Sequence, residues 1–408
     1  MHDVIIVGAG IAGSVLAEKL KKLDVLVIEK RHGFKKDSGI VATKHIGKTI
    51  PKKFVRHEIS AMSLVSPCGR TIDIHTQKPF AFALERKEFE KHLRSRIKKT
   101  VVYDCVKEIM WEEDFVQVVG EKDRYYGKLV IGCDGACSAV RTAMRLQDGI
   151  IEDRNMIYGV IGSHKIEQDN IHVYFNKLFS KDFFSWTIPQ NNEYGLMTAS
   201  NPLGGCKCFG RKMGFGNIIH EQQSCETRDN PTIGKIIDLR NKSAIITKSQ
   251  SELAIGKLTK SSDLAISITP MTIGIKKSYS DMALLVGESA GQVKPITGGG
   301  IDLAISCACH AANTIKRSAK ENNTGSNFLR SYEHSWKSEF EKEIEKQMWL
   351  RKIYSRLNNQ QIDELFKIAR NTKIDEIDDY VGLSSLMKKI PKMGLFLWAL
   401  WNVRTFLK

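Results

Sequence analysis

Residues 3–13 read Asp3-Val4-Ile5-Ile6-Val7-Gly8-Ala9-Gly10-Ile11-Ala12-Gly13. The apolar run up to Val7 has the pattern of a strand buried on both faces. Three glycines follow in a short turn, residues 14–22 carry a helical pattern, and a second buried strand over residues 24–28 ends in Glu29. Strand, glycine turn, helix, strand and acid in this order form a dinucleotide-binding fingerprint. Gly8 allows the tight turn, Gly10 lets a pyrophosphate approach the backbone, and Gly13 lets the helix pack closely on the strand. The helix start faces the phosphates, and Glu29 can accept hydrogen bonds from a ribose diol.

The glycines by themselves do not choose between NAD and FAD, and two later stretches bear on that choice. Residues 129–141 read Leu129-Val130-Ile131-Gly132-Cys133-Asp134-Gly135-Ala136-Cys137-Ser138-Ala139-Val140-Arg141, a buried strand running into an Asp-Gly turn. Residues 283–301 carry another strand into Gly287-Glu288, and then a glycine triplet, Gly298-Gly299-Gly300, opens a helix that runs to about Lys316.

With these three motifs in place, the chain resembles the aromatic-hydroxylase-type FAD-dependent oxidoreductases and, within them, the geranylgeranyl reductase family. Residues 295–301, Pro-Ile-Thr-Gly-Gly-Gly-Ile, carry the resemblance most specifically. Leu84-Glu85-Arg86-Lys87-Glu88-Phe89 is similar to the family segment whose arginine contacts FAD. The resemblance implies an FAD site built from Gly8, Gly10, Ala12, Gly13, Glu29, Lys30, Ser38, Gly39, Arg86, Val106, Asp134, Glu288, Gly300 and Ile301. It implies that the late acid, Glu288 here where the family usually has Asp, holds the ribityl chain. It further implies that the glycine-rich helix start lies against the flavin's pyrimidine edge, where a helix dipole favours the anion formed on reduction. Asp37 stands where many relatives carry a cysteine near the flavin, so no role of that cysteine carries over. The resemblance covers about residues 1–200 and 265–330. No second glycine fingerprint is present, so a separate NADPH-binding domain is not expected.

From about residue 151 the pattern alternates, as in Ile171-His172-Val173-Tyr174-Phe175, which suggests antiparallel strands. There the chain reads Phe183-Phe184-Ser185-Trp186-Thr187-Ile188-Pro189. Geranylgeranyl reductases carry Tyr-x-Trp-x-Phe-Pro along their substrate cavity, and at that spacing the resemblance implies Phe184, Trp186 and Pro189 as substrate contacts. Flavin-dependent halogenases carry a similar Trp-x-Trp-x-Ile-Pro, whose first Trp is absent here. Taken without a family, an aromatic stripe of this kind is more often core than pocket wall; the resemblance favours the pocket wall. No carboxylate pair or Ser/His/Asp set stands out, which is expected when a flavin carries the chemistry. No catalytic side chain and no metal ligand is therefore assigned. Cys206 and Cys208 could bind a metal or form a disulfide with each other or with Cys225, but Cys-x-Cys is poor zinc-site spacing and free thiols are the favoured reading. The role of these three cysteines and of residues 201–262 stays open, and Cys307 to His310 read as helix core.

The chain has 408 residues, too many for one compact core, and its 42% hydrophobic and 26% charged residues are globular composition. The expected fold is α/β. A discontinuous, doubly wound Rossmann-like FAD domain takes residues 1–150 and 265–330, an antiparallel-sheet substrate domain takes 151–264, and a helical region takes 331–408. No stretch approaches the roughly 18 apolar residues of a membrane span. Nine scattered cysteines argue against a secreted disulfide framework, and the strand starting near the N-terminus leaves no room for a signal peptide. A cytoplasmic location is the expectation. The net charge of +16 favours an anionic partner or a lysine-rich solubilising surface. Residues 394–408, with Trp398 and Trp401 after Lys388, Lys389 and Lys392, suit either a membrane interface or a helix docked on the protein's own body.

Three functions follow as expectations. The first is an FAD-dependent reductase that saturates geranylgeranyl chains of archaeal-type lipids or prenyl precursors by hydride transfer. It would draw on NAD(P)H or a reduced protein carrier and work peripherally on the inner face of the cell membrane, without a nucleic-acid partner. The second is a flavin monooxygenase or halogenase acting on an aromatic or quinone-like substrate, and the third is a non-catalytic flavoprotein-like lipid-binding module.

Overall fold

The computed structural model describes residues 1–34, 39–148, 155–163, 170–177, 180, 183–188, 193–199, 266–274 and 277–369. Asp37, Ser38, Pro189, Cys206, Cys208, Cys225 and the 394–408 segment lie outside the described residues. The chain forms two compact units, one of Met1–Arg56, Leu84–Met156 and Pro270–Met348, the other of His57–Ala83, Ile157–Thr269 and Trp349–Lys408.

In the first unit the apolar runs pair as the fingerprint requires. Val4–Val7 is fully buried and lies parallel to both Val25–Glu29 and Val130–Gly132, with Ile5 opposite Leu26 on one side and Val130 on the other. The sheet has six strands in the order Tyr279–Ser280, Ala283–Leu285, Val130–Gly132, Val4–Val7, Val25–Glu29, Thr100–Tyr103. Only the short Tyr279–Ser280 edge runs antiparallel to its neighbour. Strands buried on both faces need helices over them, and Ile11–Lys19 and Ile301–Glu321 supply buried faces. Val7, Ile28, Val130, Leu285, Val140 and Met144 belong to one apolar cluster. The expected α/β doubly wound architecture is what the chain adopts.

A small antiparallel sheet of Val106–Trp111, Val116–Gly120 and Arg124–Gly127 belongs to the same unit. Asp104 anchors it. Its carboxylate accepts the backbone N–H groups of Cys105 at 2.7 Å, Glu121 at 3.0 Å and Lys122 at 3.2 Å, and the Tyr125 O–H at 2.9 Å. Burial alone would raise this carboxyl, but the bond from Tyr125 and those from the backbone outweigh it and hold its pKa below the usual aspartate value. Burial and the bond to Asp104 push the Tyr125 phenol up to about 12.

A seven-stranded sheet, most of whose residues belong to the second unit, has the order Ile266–Ile273, Asn155–Ser163, Glu193–Ala199, Ser185–Ile188, Ile171–Tyr174, Ala61–Val65, Thr71–His75. The strands between residues 155 and 199 pair antiparallel, as the sequence pattern suggested, and a pair with a strand from outside that stretch makes the sheet mixed. Ile171–Tyr174 runs parallel to Ala61–Val65, with Val173 opposite Leu64. That pair needs a long crossover, which local alternation does not encode. The hairpin Ala61–Val65 and Thr71–His75, drawn from the stretch expected to serve the cofactor domain, completes this sheet. Leu64, Ile72 and Ile74 share an apolar cluster with Leu357, Ile362 and Phe366.

The helical C-terminal region is present in Ser326–Arg356 and Asn359–Ala369. Asn358 and Gln361 cap the latter reciprocally: Asn358 Oδ1 accepts the Gln361 N–H at 2.9 Å, and Gln361 Oε1 accepts the Asn358 N–H at 3.0 Å. Cys307 is fully buried in the Ile301–Glu321 helix as its core reading requires, whereas His310 turns outward to Glu339, with Nε2 2.8 Å from Oε2. Among the described residues no helix is long and apolar enough to cross a membrane.

Candidate functional site

Backbone geometry builds the phosphate turn. Gly8 has φ +99°, and a Cβ there would lie 2.5 Å from the Cys133 carbonyl oxygen. Gly13 meets the first strand so closely that a Cβ would sit 1.9 Å from the Gly8 oxygen. Gly10 differs from both, because a Cβ there meets nothing within 4 Å. It is also the N-cap of the Ile11–Lys19 helix and provides no side-chain cap. Open space in front of an uncapped helix start is what a pyrophosphate requires. Ala12 contributes by being small, since its Cβ would be 3.0 Å from one built on Gly287.

Glu29 ends the second strand beside this turn. Its Oε2 accepts the Ala9 N–H at 2.6 Å and its Oε1 accepts the Arg31 N–H at 2.9 Å. Arg94, not singled out from the sequence, stands over the same carboxylate, with Nη2 3.8 Å from Oε2 and its guanidinium over the Phe34 ring at 4.3 Å. Its Nε is buried without a hydrogen-bond partner. Next to Glu29 a cavity of about 290 Å³ is lined by Lys30, His32, Tyr103 and Lys107, among others. The His32 and Tyr103 rings stack there at 3.8 Å. Val106 is half-buried against the sheet core and does not line that cavity.

The two Asp/Glu turns converge. Asp134 Oδ2 caps the next helix by accepting the Ala139 N–H at 2.7 Å, while Oδ1 is buried with no hydrogen-bond partner. Enclosure of the carboxyl raises its pKa against the opposing bonds from Ser138 and Ala139 and the nearby Arg141 charge. Glu288 Oε2 would be 3.6 Å from a Cβ on Gly135. Arg141 ties the two turns together by donating to the carbonyls of Ser289, at 2.7 Å, and Ala136. A buried chain runs from the Gly287 N–H to Gln292 Oε1 at 2.6 Å, from Gln292 Nε2 to the Tyr332 hydroxyl at 2.8 Å, and from that hydroxyl to the Leu285 carbonyl at 2.9 Å.

The glycine triplet opens the Ile301–Glu321 helix through Gly300, which likewise offers no side-chain cap. A Cβ on Gly39 would lie 2.5 Å from Ile301 Cδ1 and 3.7 Å from Arg86 Cδ, so these three positions meet. Arg86 is held by Glu90, Nε to Oε1, at 3.0 Å. Pairwise contacts link several of the described candidate residues of this unit into a strip: Glu29 to Ala9 of the glycine turn, Gly8 to Asp134, Gly135 to Glu288, Gly287 to Ala12, and Gly39 to Ile301 and Arg86. Two buried groups beside its far end, Asp302 and His45, were not read from the sequence, because neither belongs to a local motif.

In the second unit, Phe184 is buried and lies 5.9 Å from Phe175, which also contacts Tyr354 at 5.8 Å and Phe366 at 5.7 Å. Trp186 is half-buried, packs edge-on against Phe184 at 6.3 Å and donates its indole N–H to Glu193 Oε1 at 3.2 Å.

A family description, the NAD(P)-binding Rossmann-like domain, matches residues 6–58. The digeranylgeranylglycerophospholipid reductase of Methanococcus vannielii is 25% identical, over 96% of this chain and 96% of that protein. The protein of the same name from Methanocaldococcus jannaschii is also 25% identical, over 96% of each. Among solved structures, a geranylgeranyl bacteriochlorophyll reductase-like protein from Thermoplasma acidophilum superposes with a TM-score of 0.75 at 19% identity, covering 99% of both chains. The flavin-dependent halogenase CmlS superposes at 0.59 with 14% identity, over 95% of this chain and 76% of its own. The resemblance to the geranylgeranyl reductase family read from the sequence is borne out over nearly the whole chain.

Proposed function

We propose that this chain is an FAD-dependent reductase that saturates carbon–carbon double bonds in the geranylgeranyl chains of archaeal-type membrane lipids or their prenyl precursors. The carrying observation is the open, uncapped Gly10 turn in a chain that resembles named digeranylgeranylglycerophospholipid reductases nearly end to end. The residues present fit an FAD. The space at Gly10 would take a pyrophosphate, and the unpartnered oxygen of Asp134 would accept from a hydroxyl.

Bound FAD would supply the two electrons that, with two protons, saturate one alkene. The chain's own residues hold and orient it. Gly8, Gly10, Gly13 and the helix start take the pyrophosphate, with Ala12 small enough to let the late turn approach. Glu29 takes the ribose, Lys30 flanks the adenosine end, and Asp134 and Glu288 take the ribityl hydroxyls. Arg86, Gly39, Gly300 and Ile301 receive the ring, together with Ser38. Phe184, Trp186 and Pro189 offer apolar surface to a prenyl chain, whose affinity comes from area burial at about 0.8 kcal/mol per methylene. The absence of the first halogenase Trp, replaced by Phe184, weighs against halogenation. The +16 charge supports work at an anionic membrane surface, with NAD(P)H or a reduced protein carrier as electron source.

The test is to reduce the flavin without oxygen and add a geranylgeranyl lipid. Alkene-dependent reoxidation with a mass gain of one dihydrogen per bond supports the assignment. Reoxidation that requires oxygen and leaves the alkenes intact rejects it.

A further inference from the structure

At the far end of the cofactor strip, one cation and one anion are built into the glycine turn itself. The Lys294 N–H donates to the Gly299 carbonyl at 3.0 Å, and its own carbonyl accepts the Gly298 N–H at 2.9 Å, so its backbone closes that turn. The Lys294 side chain is only 15% exposed and its Nζ is 3.7 Å from Asp302 Oδ2. Asp302, in the first turn of the helix, is 4% exposed. Its Oδ2 also accepts the Ala42 N–H at 3.1 Å, while Oδ1 is buried with no hydrogen-bond partner. His45 packs alongside, with Nε2 3.2 Å from the Asp302 carbonyl oxygen and 3.1 Å from Ser306 Oγ. Burial lowers its pKa against the pull of Asp302, so the imidazole is neutral at pH 7.

A buried ion pair whose carboxylate keeps one oxygen without a protein hydrogen bond is a costly way to fasten a loop to a helix, where an apolar contact would serve as well. Its distinctive property is charge at a fixed place in a medium of low polarity. That place follows from the strip. A dinucleotide is extended, and if its phosphates lie at Gly10 and its ribose at Glu29, its redox-active end runs past Glu288 toward Gly300 and Ile301. This turn is the one that Lys294 closes.

We propose that Lys294 and Asp302 are a tuning pair for the reduction potential of the bound flavin, the lysine raising it and the aspartate lowering it. The inference rests on the FAD assignment above. Two-electron reduction adds negative charge to the ring, so a neighbouring cation favours the reduced form and a neighbouring anion the oxidised form. The sign of each effect does not depend on which group lies closer.

The experiment is a spectroelectrochemical titration of the flavin bound to wild type, Lys294→Met and Asp302→Asn, with flavin occupancy measured in each. Lys294→Arg tests whether charge alone suffices, and Lys316→Met removes an exposed charge farther along the same helix. Lys294→Met is expected to lower the midpoint and Asp302→Asn to raise it. Each shift is on the order of tenfold in the ratio of reduced to oxidised flavin at fixed potential, or about 30 mV for a two-electron couple. Lys294→Arg and Lys316→Met should stay at the wild-type value. Unchanged midpoints, or shifts of the same sign, with flavin retained in both charge variants would overturn the tuning role and leave the FAD assignment standing. Loss of flavin from both would make the pair binding residues and overturn it equally. A wild-type protein that binds no flavin overturns the assignment and the tuning together.

Discussion

Gly10 and Gly13 belong to one fingerprint yet should fail in opposite ways. A side chain at Gly10 enters open space, with no protein atom within 4 Å of its Cβ, and the position has φ −70°, which any residue adopts. Gly10→Val should therefore cost the apoprotein no more than about 1 kcal/mol, the scale of placing a β-branched residue at a helix N-cap. Its branched side chain would fill the pyrophosphate path and abolish the flavin absorbance. Gly13→Ala places a Cβ 1.9 Å from the Gly8 carbonyl oxygen, well inside contact distance, so backbone must move. Overpacking of this kind costs about 1–3 kcal/mol and more where backbone resists. The assay pairs flavin-to-protein absorbance with denaturant unfolding of the apoproteins. Full flavin occupancy in Gly10→Val, or apoprotein destabilisation in Gly10→Val equal to that in Gly13→Ala, would refute the placement of the phosphate path.

Asp104 has its folded pKa depressed, so the stability it contributes is complete above its unfolded value near pH 4 and is lost as pH falls through the folded value. The melting-temperature gap between wild type and Asp104→Asn should therefore shrink as pH drops below about 4, and a gap constant from pH 7 to pH 3 contradicts this. Trp186→Ala should keep FAD but weaken a prenyl substrate by about 1.5–3 kcal/mol, the contribution of a large apolar side chain. Trp186→Phe, which keeps most of the apolar area, should recover most of that loss, and unchanged KM in both variants would assign Trp186 to the core. Sedimentation with anionic vesicles should show salt-sensitive binding that weakens when residues 394–408 are deleted; equal partitioning of full-length and truncated protein removes the tail as an anchor.

The parts legible in the sequence are those whose meaning is local. Val4–Val7, the three glycines and Glu29 announce the first half of the doubly wound sheet because burial on both faces and tight turns leave their mark within thirty-odd residues. The long C-terminal helices are local in the same sense. The pairing of Ile171–Tyr174 with Ala61–Val65 is not, since alternation marks a strand without naming its neighbour. Arg94 over Glu29 was invisible for a similar reason, because an arginine on an amphipathic helix reads as solvated until the fold brings it to a carboxylate. Lys294 precedes the quoted Pro295–Ile301 motif and Asp302 follows it, and only the turn between them sets a cation beside an anion there. Phe184 shows the limit of an aromatic pattern, as its ring packs against Phe175 in an apolar cluster that spacing alone could not distinguish from a cavity wall.

The measurement that tests the central claim most directly is the mass spectrum of a geranylgeranyl lipid after incubation with the flavin-loaded, anaerobically reduced protein. A reductase returns the lipid heavier by one dihydrogen for each bond saturated, in proportion to the flavin reoxidised, and the Gly10→Val protein returns it unchanged. A lipid recovered unaltered from wild type, with the flavin still reduced until oxygen is admitted, would contradict a reductase of isoprenoid double bonds.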